Sequence, residues 1–283
     1  MLHAISTHFI VNHRLTTAWL DRIWDSGISA VEIFCARQHL DYQNKAQIQE
    51  LGHWLKDSPM RVHSLHSPMY NDDCWGRSGP NAVLTITEQV KSKRVQMVDE
   101  IKRAIEVAEY FPFRYLIQHI GVGGEEYDLR KVDAAFNALE ELRIFAKQRG
   151  VEILLENIPN HLSSAERLVH FLEITHLDLG FCLDTGHANM NEGVEAAYHI
   201  MRDRIRSTHV HDNNGVQDTH LYPYLKGGGS VDWQRTMHLF RSRQQQYPLM
   251  LELKEDPDMG PPLDAMKRVF EKLEAEPPMD SGD

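Results

Sequence analysis

Cysteine is scarce in this chain: Cys35, Cys74 and Cys182 are the three in 283 residues, and they form no CxxC pair. At this length a large core can form without disulfides. An odd, sparse set suits a reducing cytosol, so a cytoplasmic location is expected. Each cysteine reads as a small buried or loop residue. Long apolar runs are missing as well. None approaches the ~20 residues of a membrane span. The opening MLHAISTHFIVNHR has no charged region leading into an apolar stretch, so no signal peptide is expected. Basic residues are outnumbered, 30 against 41 acidic ones, for a formal net charge of −11. Binding to a phosphate backbone needs Lys and Arg to neutralise phosphates, so nucleic acid is disfavoured as a partner. A small basic patch or metal-mediated phosphate binding stays open. The glycine-rich phosphate loops GxGxxG and GxxxxGKS are absent after the first strand. GVGGEEY lacks the lysine and the helix-opening context, and reads as a barrel loop.

What is present is ordinary in bulk, with 42% hydrophobic and 25% charged residues. Its arrangement is more telling. Short apolar runs occur at Ala4 (AIST), Val31 (VEIF), Arg61 (RVHSLH), Tyr115 (YLIQHI), Val151 (VEILLE), Leu179 (LGFCLD), Arg206 (RSTHVH) and Leu249 (LMLEL). They read as strands bounded by turn residues. Amphipathic stretches lie between and after them, among them TTAWLDRIWDSG and VDAAFNALEELRIFAKQRG, which stop at Gly27 and Gly150. Repeated βα units imply a parallel sheet with right-handed crossovers. A (β/α)₈ barrel needs about 250 residues, so the fold class expected is α/β, one TIM barrel over residues 1–275 with a flexible tail over 276–283. SPMYNDDCWGRSGPNAV is a long loop after the third strand, of the kind that covers a binding site.

Barrel sites lie at the C-terminal ends of the strands. The third run ends in His66, the fourth in His119 and the fifth in Glu156. The sixth ends in Asp184, with His187 in the next turn. The seventh ends in His211, with Asp218 and His220 in its loop, and the eighth in Glu252. A carboxylate inside an apolar strand needs a charge partner. Arg and Lys are scarce at these strand ends, and the chain holds 17 histidines. A divalent metal is the economical counter-charge, and mixed imidazole and carboxylate ligands suit Mn²⁺, Co²⁺, Zn²⁺ or Fe²⁺. His209, two residues before His211, faces the same side and reads as a deeper supporting or core group. His3, His8 and His13 read as layer residues of the first strand, with His8 a lesser candidate for the site. His53, His170, His199 and His238 lie on helical stretches and read as surface or packing residues. Trp75, in the long loop, is a candidate for the wall of a substrate pocket.

ENIP at Glu156, DTGH at Asp184, HVHDNN at His209, and DTH at Asp218 followed by GGGS resemble the xylose-isomerase-like barrel superfamily. EIF at Glu32 and LHSP at Leu65 also fit, and the resemblance covers nearly the whole chain. That superfamily includes sugar isomerases and epimerases, inosose dehydratases and endonuclease IV. Similarity to ketose 3-epimerases implies metal ligands at Glu156, Asp184, His211 and Glu252, with the two glutamates also shuttling a proton. Similarity to endonuclease IV implies a larger set holding three zinc ions: His66, His119, Glu156, Asp184, His187, His211, Asp218, His220 and Glu252. The chain departs from both patterns. DNNGVQ replaces a stretch bearing serine and lysine, Gln217 stands where an arginine is common, and GGGS replaces GEG.

The resemblance thus implies a metal-dependent isomerase or epimerase of a sugar, sugar phosphate or polyol. Glu156 and Glu252 would transfer the proton through an enediolate, with His187 and Trp75 at the substrate. The alternatives are an endonuclease IV-like zinc phosphodiesterase and a dehydratase or lyase of the inosose dehydratase type. Binding without turnover is disfavoured by the retention of both glutamates. Such barrels often pair as homo-oligomers, but no interface signal is visible in this sequence.

Overall fold

Eight short strands alternate with helices along the chain: β1 His3–Ser6, β2 Ala30–Phe34, β3 Arg61–His66, β4 Tyr115–His119, β5 Glu152–Glu156, β6 Gly180–Asp184, β7 Ile205–His209 and β8 Leu249–Leu251. The structure, a computed structural model, describes residues 1–278. Neighbouring strands pair in parallel in the order β7-β6-β5-β4-β3-β2-β1-β8. The two ends meet where Val210 pairs with Leu251: the Val210 N–H donates to the Met250 carbonyl at 2.8 Å, and the Glu252 N–H donates to the Val210 carbonyl at 3.2 Å. The sheet is a nearly closed TIM barrel, as expected.

The helices are α1 Thr17–Asp25, α2 Lys45–Asp57, α3 Lys91–Glu106, α4 Leu129–Lys147, α5 Ala165–Thr175, α6 Thr185–Met190, α7 Val194–Met201, α8 Trp233–Arg241 and α9 Pro262–Glu274. Asn44, Asp128, Ser164 and Asp232 cap α2, α4, α5 and α8 by accepting from backbone N–H groups of the first turn. Gly27 and Gly150 follow α1 and α4 at φ 87° and 73°, where glycine ends a helix without a Cβ penalty.

Alternation along the strands decides what faces the barrel interior. In β5, Ile153 and Leu155 join the large apolar cluster between sheet and helices, whereas Leu154 packs with Ile117 and Cys182 in a small cluster of its own. Glu156, two residues beyond Leu154, therefore faces the interior at the top of the barrel. The same parity turns Asp184 inward after Cys182, and Glu252 inward after Met250.

Two strand ends differ from the sequence reading, and one helix is added. β7 ends at His209 rather than His211, and β8 at Leu251 rather than Glu252. The pleat parity survives, because each expected ligand lies an even number of residues from an inward-facing one. DTGH also opens a helix of its own, α6: Asp184 caps it by accepting the His187 N–H at 2.7 Å. From residue 279 on, the expected tail lies outside the described residues. Glu276 is held, its carbonyl accepting from the Arg241 guanidinium at 2.8 Å. Among the described residues no helix is long and apolar enough to cross a membrane.

Candidate metal centre

The strand ends converge three sets of ligand atoms, each set lying within 4.8 Å of one another. The sets are His66, His119 and Glu156; Glu156, Asp184, His209 and Glu252; and His187, His211, Asp218 and His220. All nine sequence candidates for metal binding are thus brought together, and His209 joins them.

Glu156 is the hinge of the arrangement. One oxygen, Oε2, lies 2.9 Å from His119 Nε2 and 3.5 Å from His66 Nε2. The other, Oε1, lies 3.1 Å from His209 Nδ1 and 3.4 Å from His187 Nδ1. Asp184 divides its oxygens in a similar way. Oδ1 caps α6, where the positive end of the helix favours an anion, and Oδ2 sits 3.0 Å from His211 Nε2. Asp218 Oδ2 lies 3.2 Å from His220 Nε2 and 3.5 Å from His187 Nε2. The rings of His211 and His220 stack at 3.8 Å. His220 has φ 47°, a left-handed conformation that costs a non-glycine residue about 1–3 kcal/mol. A bond from its Nδ1 to the Glu252 carbonyl, 2.8 Å, holds it there.

Two glycines clear the space. A Cβ on Gly186 would lie 2.0 Å from His211 Cε1, so DTGH needs glycine for the imidazole to lie against the α6 backbone. A Cβ on Gly229 would lie 2.2 Å from Asp212 Oδ2. Asp212 accepts from the N–H groups of Ser230 and Val231 and from Trp233 Nε1, which ties the GGGS loop to the end of β7.

The electrostatics pull the two glutamates apart. Burial opposes ionisation of Glu156, but His209 and His119 hold its carboxyl well below the usual range. Burial pushes Glu252 up to about 7, and the charges of Glu156 and Glu32 push the same way against His209. Burial would neutralise His187, yet Asp184, Asp218 and Glu156 hold it well above its ordinary value. Burial and the neighbouring His211 push His220 down to about 4.

A metal fits this donor set. Glu32, Glu156, Asp184 and Glu252 are all buried at 3% exposure or less, and the cations against them are imidazoles. His211 Nδ1 and Asp218 Oδ1 are buried with no hydrogen-bond partner among the described residues. A divalent cation supplies the missing charge and takes up free donor atoms.

Beside these groups lies a cavity of about 230 Å³, lined by His8, Phe34, Met69, Trp75 and Lys254 and by seven of the candidate ligands, though not by Asp184 or His211. Trp75 reaches it as the loop reading expected, packing 5.0 Å from Phe34 and 5.6 Å from His8. Sequence reasoning ranked His8 low and did not single out Lys254, Phe34 or Met69. It also missed Glu32 as a partner of the site. The one available signal was a glutamate inside the apolar run VEIF, the same signal that marked Glu156.

Residues 20–275 match the model of the family described as the xylose isomerase-like TIM barrel. The uncharacterized protein MJ1614 of Methanocaldococcus jannaschii is 29% identical over 144 residues, 50% of this chain and 57% of that protein. The chain thus spans a little over half the length of that curated relative. Among solved structures, a D-tagatose 3-epimerase-like protein superposes with a TM-score of 0.74 at 23% identity, covering 97% of this chain and 98% of the other. The IOLI protein with a bound zinc atom superposes with a TM-score of 0.73 at 15% identity, covering 96% and 98%. At such identities these two likenesses speak for the fold. The family match extends over most of the chain and over every strand end that carries a candidate ligand, and the chain belongs to the xylose isomerase-like TIM barrel family.

Proposed function

We propose that this protein is a divalent-metal-dependent isomerase or epimerase of a sugar, sugar phosphate or polyol, with Glu156 and Glu252 as its proton-transfer groups. One observation carries the reading: both glutamates line the same small cavity and converge with Asp184 and His209 to within 4.8 Å. The likeness of the barrel to a D-tagatose 3-epimerase-like protein supports it.

Glu156, Asp184 and Glu252 would hold the metal with His211, which belongs to the neighbouring set but reaches Asp184 Oδ2 at 3.0 Å, and His66, His119, His187, Asp218 and His220 would be further ligands. The mixed donor set suits Mn²⁺, Co²⁺, Zn²⁺ or Fe²⁺. When bound, the metal polarises a carbonyl and stabilises negative charge on its oxygen. The protein groups then move the proton. Glu156, held ionised, takes it from the carbon beside the carbonyl, leaving an enediolate. Glu252, the weaker acid of the two, returns it. Return to the same carbon from the other face inverts it; delivery to the former carbonyl carbon, with the hydroxyl proton passing to the former carbonyl oxygen, moves the carbonyl. His187 donates a hydrogen bond to a substrate oxygen, and Trp75 covers the substrate from the loop side.

The test is exchange of carbon-bound protons with D₂O, followed by NMR, over ketoses, their phosphates and inososes. Exchange with formation of an epimer or isomer is the expected result. Exchange followed by loss of water would mark a dehydratase, and no exchange with any of them counts against the reading.

A second reading has its own observation, the presence of three ligand sets rather than one. Clustered metals suit phosphodiester cleavage, where they form a hydroxide and hold the leaving oxygen. Elemental analysis of protein purified without chelator separates the two. About one metal per chain favours the sugar enzyme, and about three zinc ions favour the phosphodiesterase, to be assayed on abasic-site DNA.

A further inference from the structure

We propose that the substrate of this site carries an anionic group, a phosphate monoester or a carboxylate, and that Lys254 pairs with it. The inference deepens the sugar reading and rests on it for the rest of the molecule.

Lys254, two residues after Glu252 and just beyond β8, is the one Lys or Arg among the described residues that line the cavity. Its amine donates to the Asp218 carbonyl at 2.9 Å, and no carboxylate lies within ion-pair distance among the described residues.

Trp75 Nε1 is buried without a hydrogen-bond partner among the described residues, and its side chain lines the cavity with Lys254. An indole N–H can only donate. It therefore offers a substrate oxygen a second donor besides the Lys254 amine. Glu156, Asp218 and Glu252 also line the cavity, and the proposed metal answers their charge, which leaves Lys254 as the protein cation open to an anionic group of the substrate.

The experiment is isothermal titration calorimetry on the full-length chain supplied with Mn²⁺. The probes are D-fructose, its terminal phosphate monoester and D-gluconate. An anionic probe is expected to bind about ten-fold or more tighter than fructose, as a charge-assisted hydrogen bond allows. Lys254→Met should abolish that advantage and Lys254→Arg should keep it. Whichever anion shows the effect distinguishes phosphate from carboxylate. Equal binding of fructose and both anions, an advantage that survives Lys254→Met, or no binding by any probe overturns the inference. Lys254-dependent anion binding without proton exchange on any sugar would sink the sugar reading and leave this one standing. Fructose binding as tightly as its phosphate does the reverse.

Discussion

His209 and Glu32 form an ion pair of 3.0 Å in which neither side chain is exposed to solvent. The other ring nitrogen of His209 lies 3.1 Å from Glu156, so one imidazole bridges two buried carboxylates from opposite sides of the barrel. Burial disfavours its protonation, but Cys182, Glu252, Glu32 and Glu156 hold it well above its ordinary value. Ser64 completes the pair by donating to Glu32 at 2.7 Å. Removing the imidazole leaves Glu32 buried with one hydroxyl for company. His209→Ala is expected to lose about 3–5 kcal/mol, the cost of breaking a buried pair from one side. Urea denaturation measures it, and a loss below about 1 kcal/mol would contradict the pairing.

Glu156→Gln and Glu252→Gln keep the shape of each side chain and remove its proton affinity. Each is expected to slow carbon-proton exchange by about 10²–10⁴-fold while leaving the circular dichroism spectrum unchanged. Full activity in either variant would sink the two-glutamate mechanism.

His66 touches Glu156 at 3.5 Å and belongs to a different ligand set from Asp184 and Glu252. His66→Ala is therefore expected to lower sugar turnover only a few-fold, where loss of one metal-holding group from a multi-metal phosphodiesterase would cost about 10-fold to 100-fold or more. Parallel assays on an active sugar and on abasic-site DNA give the comparison.

Gly186 lies under the His211 ring, and the short helix α6 leaves its backbone no room to retreat. Gly186→Ala is expected to cost about 1–3 kcal/mol through overpacking, and to weaken metal binding as His211 is displaced. Gly123→Ala is the control, because a Cβ there meets nothing within 4 Å. Metal titration and thermal melts on both variants test the pair; equal behaviour would refute the steric account.

His39 is a buried histidine away from the ligands. Its Nδ1 lies 2.6 Å from the His13 carbonyl and its Nε2 2.9 Å from Thr7 Oγ1, a pattern satisfied by the neutral ring. Burial pushes its pKa from 6.5 to about 4. Between those values the unfolded chain binds a proton that the folded chain does not, so stability falls as pH drops. The loss is about 3 kcal/mol on reaching pH 4, and nothing is lost above the unfolded value. His39→Gln should flatten this part of the stability curve relative to the parent protein. Metal-site groups titrate in both proteins and cancel in the comparison. Identical slopes would rule out His39 as the source.

Much of the fold was legible because it rests on local periods. Glu156, Asp184 and Glu252 stood out as carboxylates ending apolar runs, and glycines at 27 and 150 marked helix ends through a conformation that other residues resist. The period of a strand puts Glu156 on the face of Leu154, but with Ile153, Leu154 and Leu155 all apolar only the barrel showed that this face looks inward. Convergence of the candidate ligands followed from placing such residues at successive strand ends of a barrel. What tertiary structure alone decided was which ligand meets which. His209 reaches Glu32 across 177 positions of sequence, and His211 groups with His187, Asp218 and His220 instead of with Glu252. Those pairings depend on the register shifts between β2 and β3 and between β6 and β7, and on closure of β7 against β8. A sequence sets the direction of each side chain relative to its own strand; only the closed sheet sets the distances across the barrel.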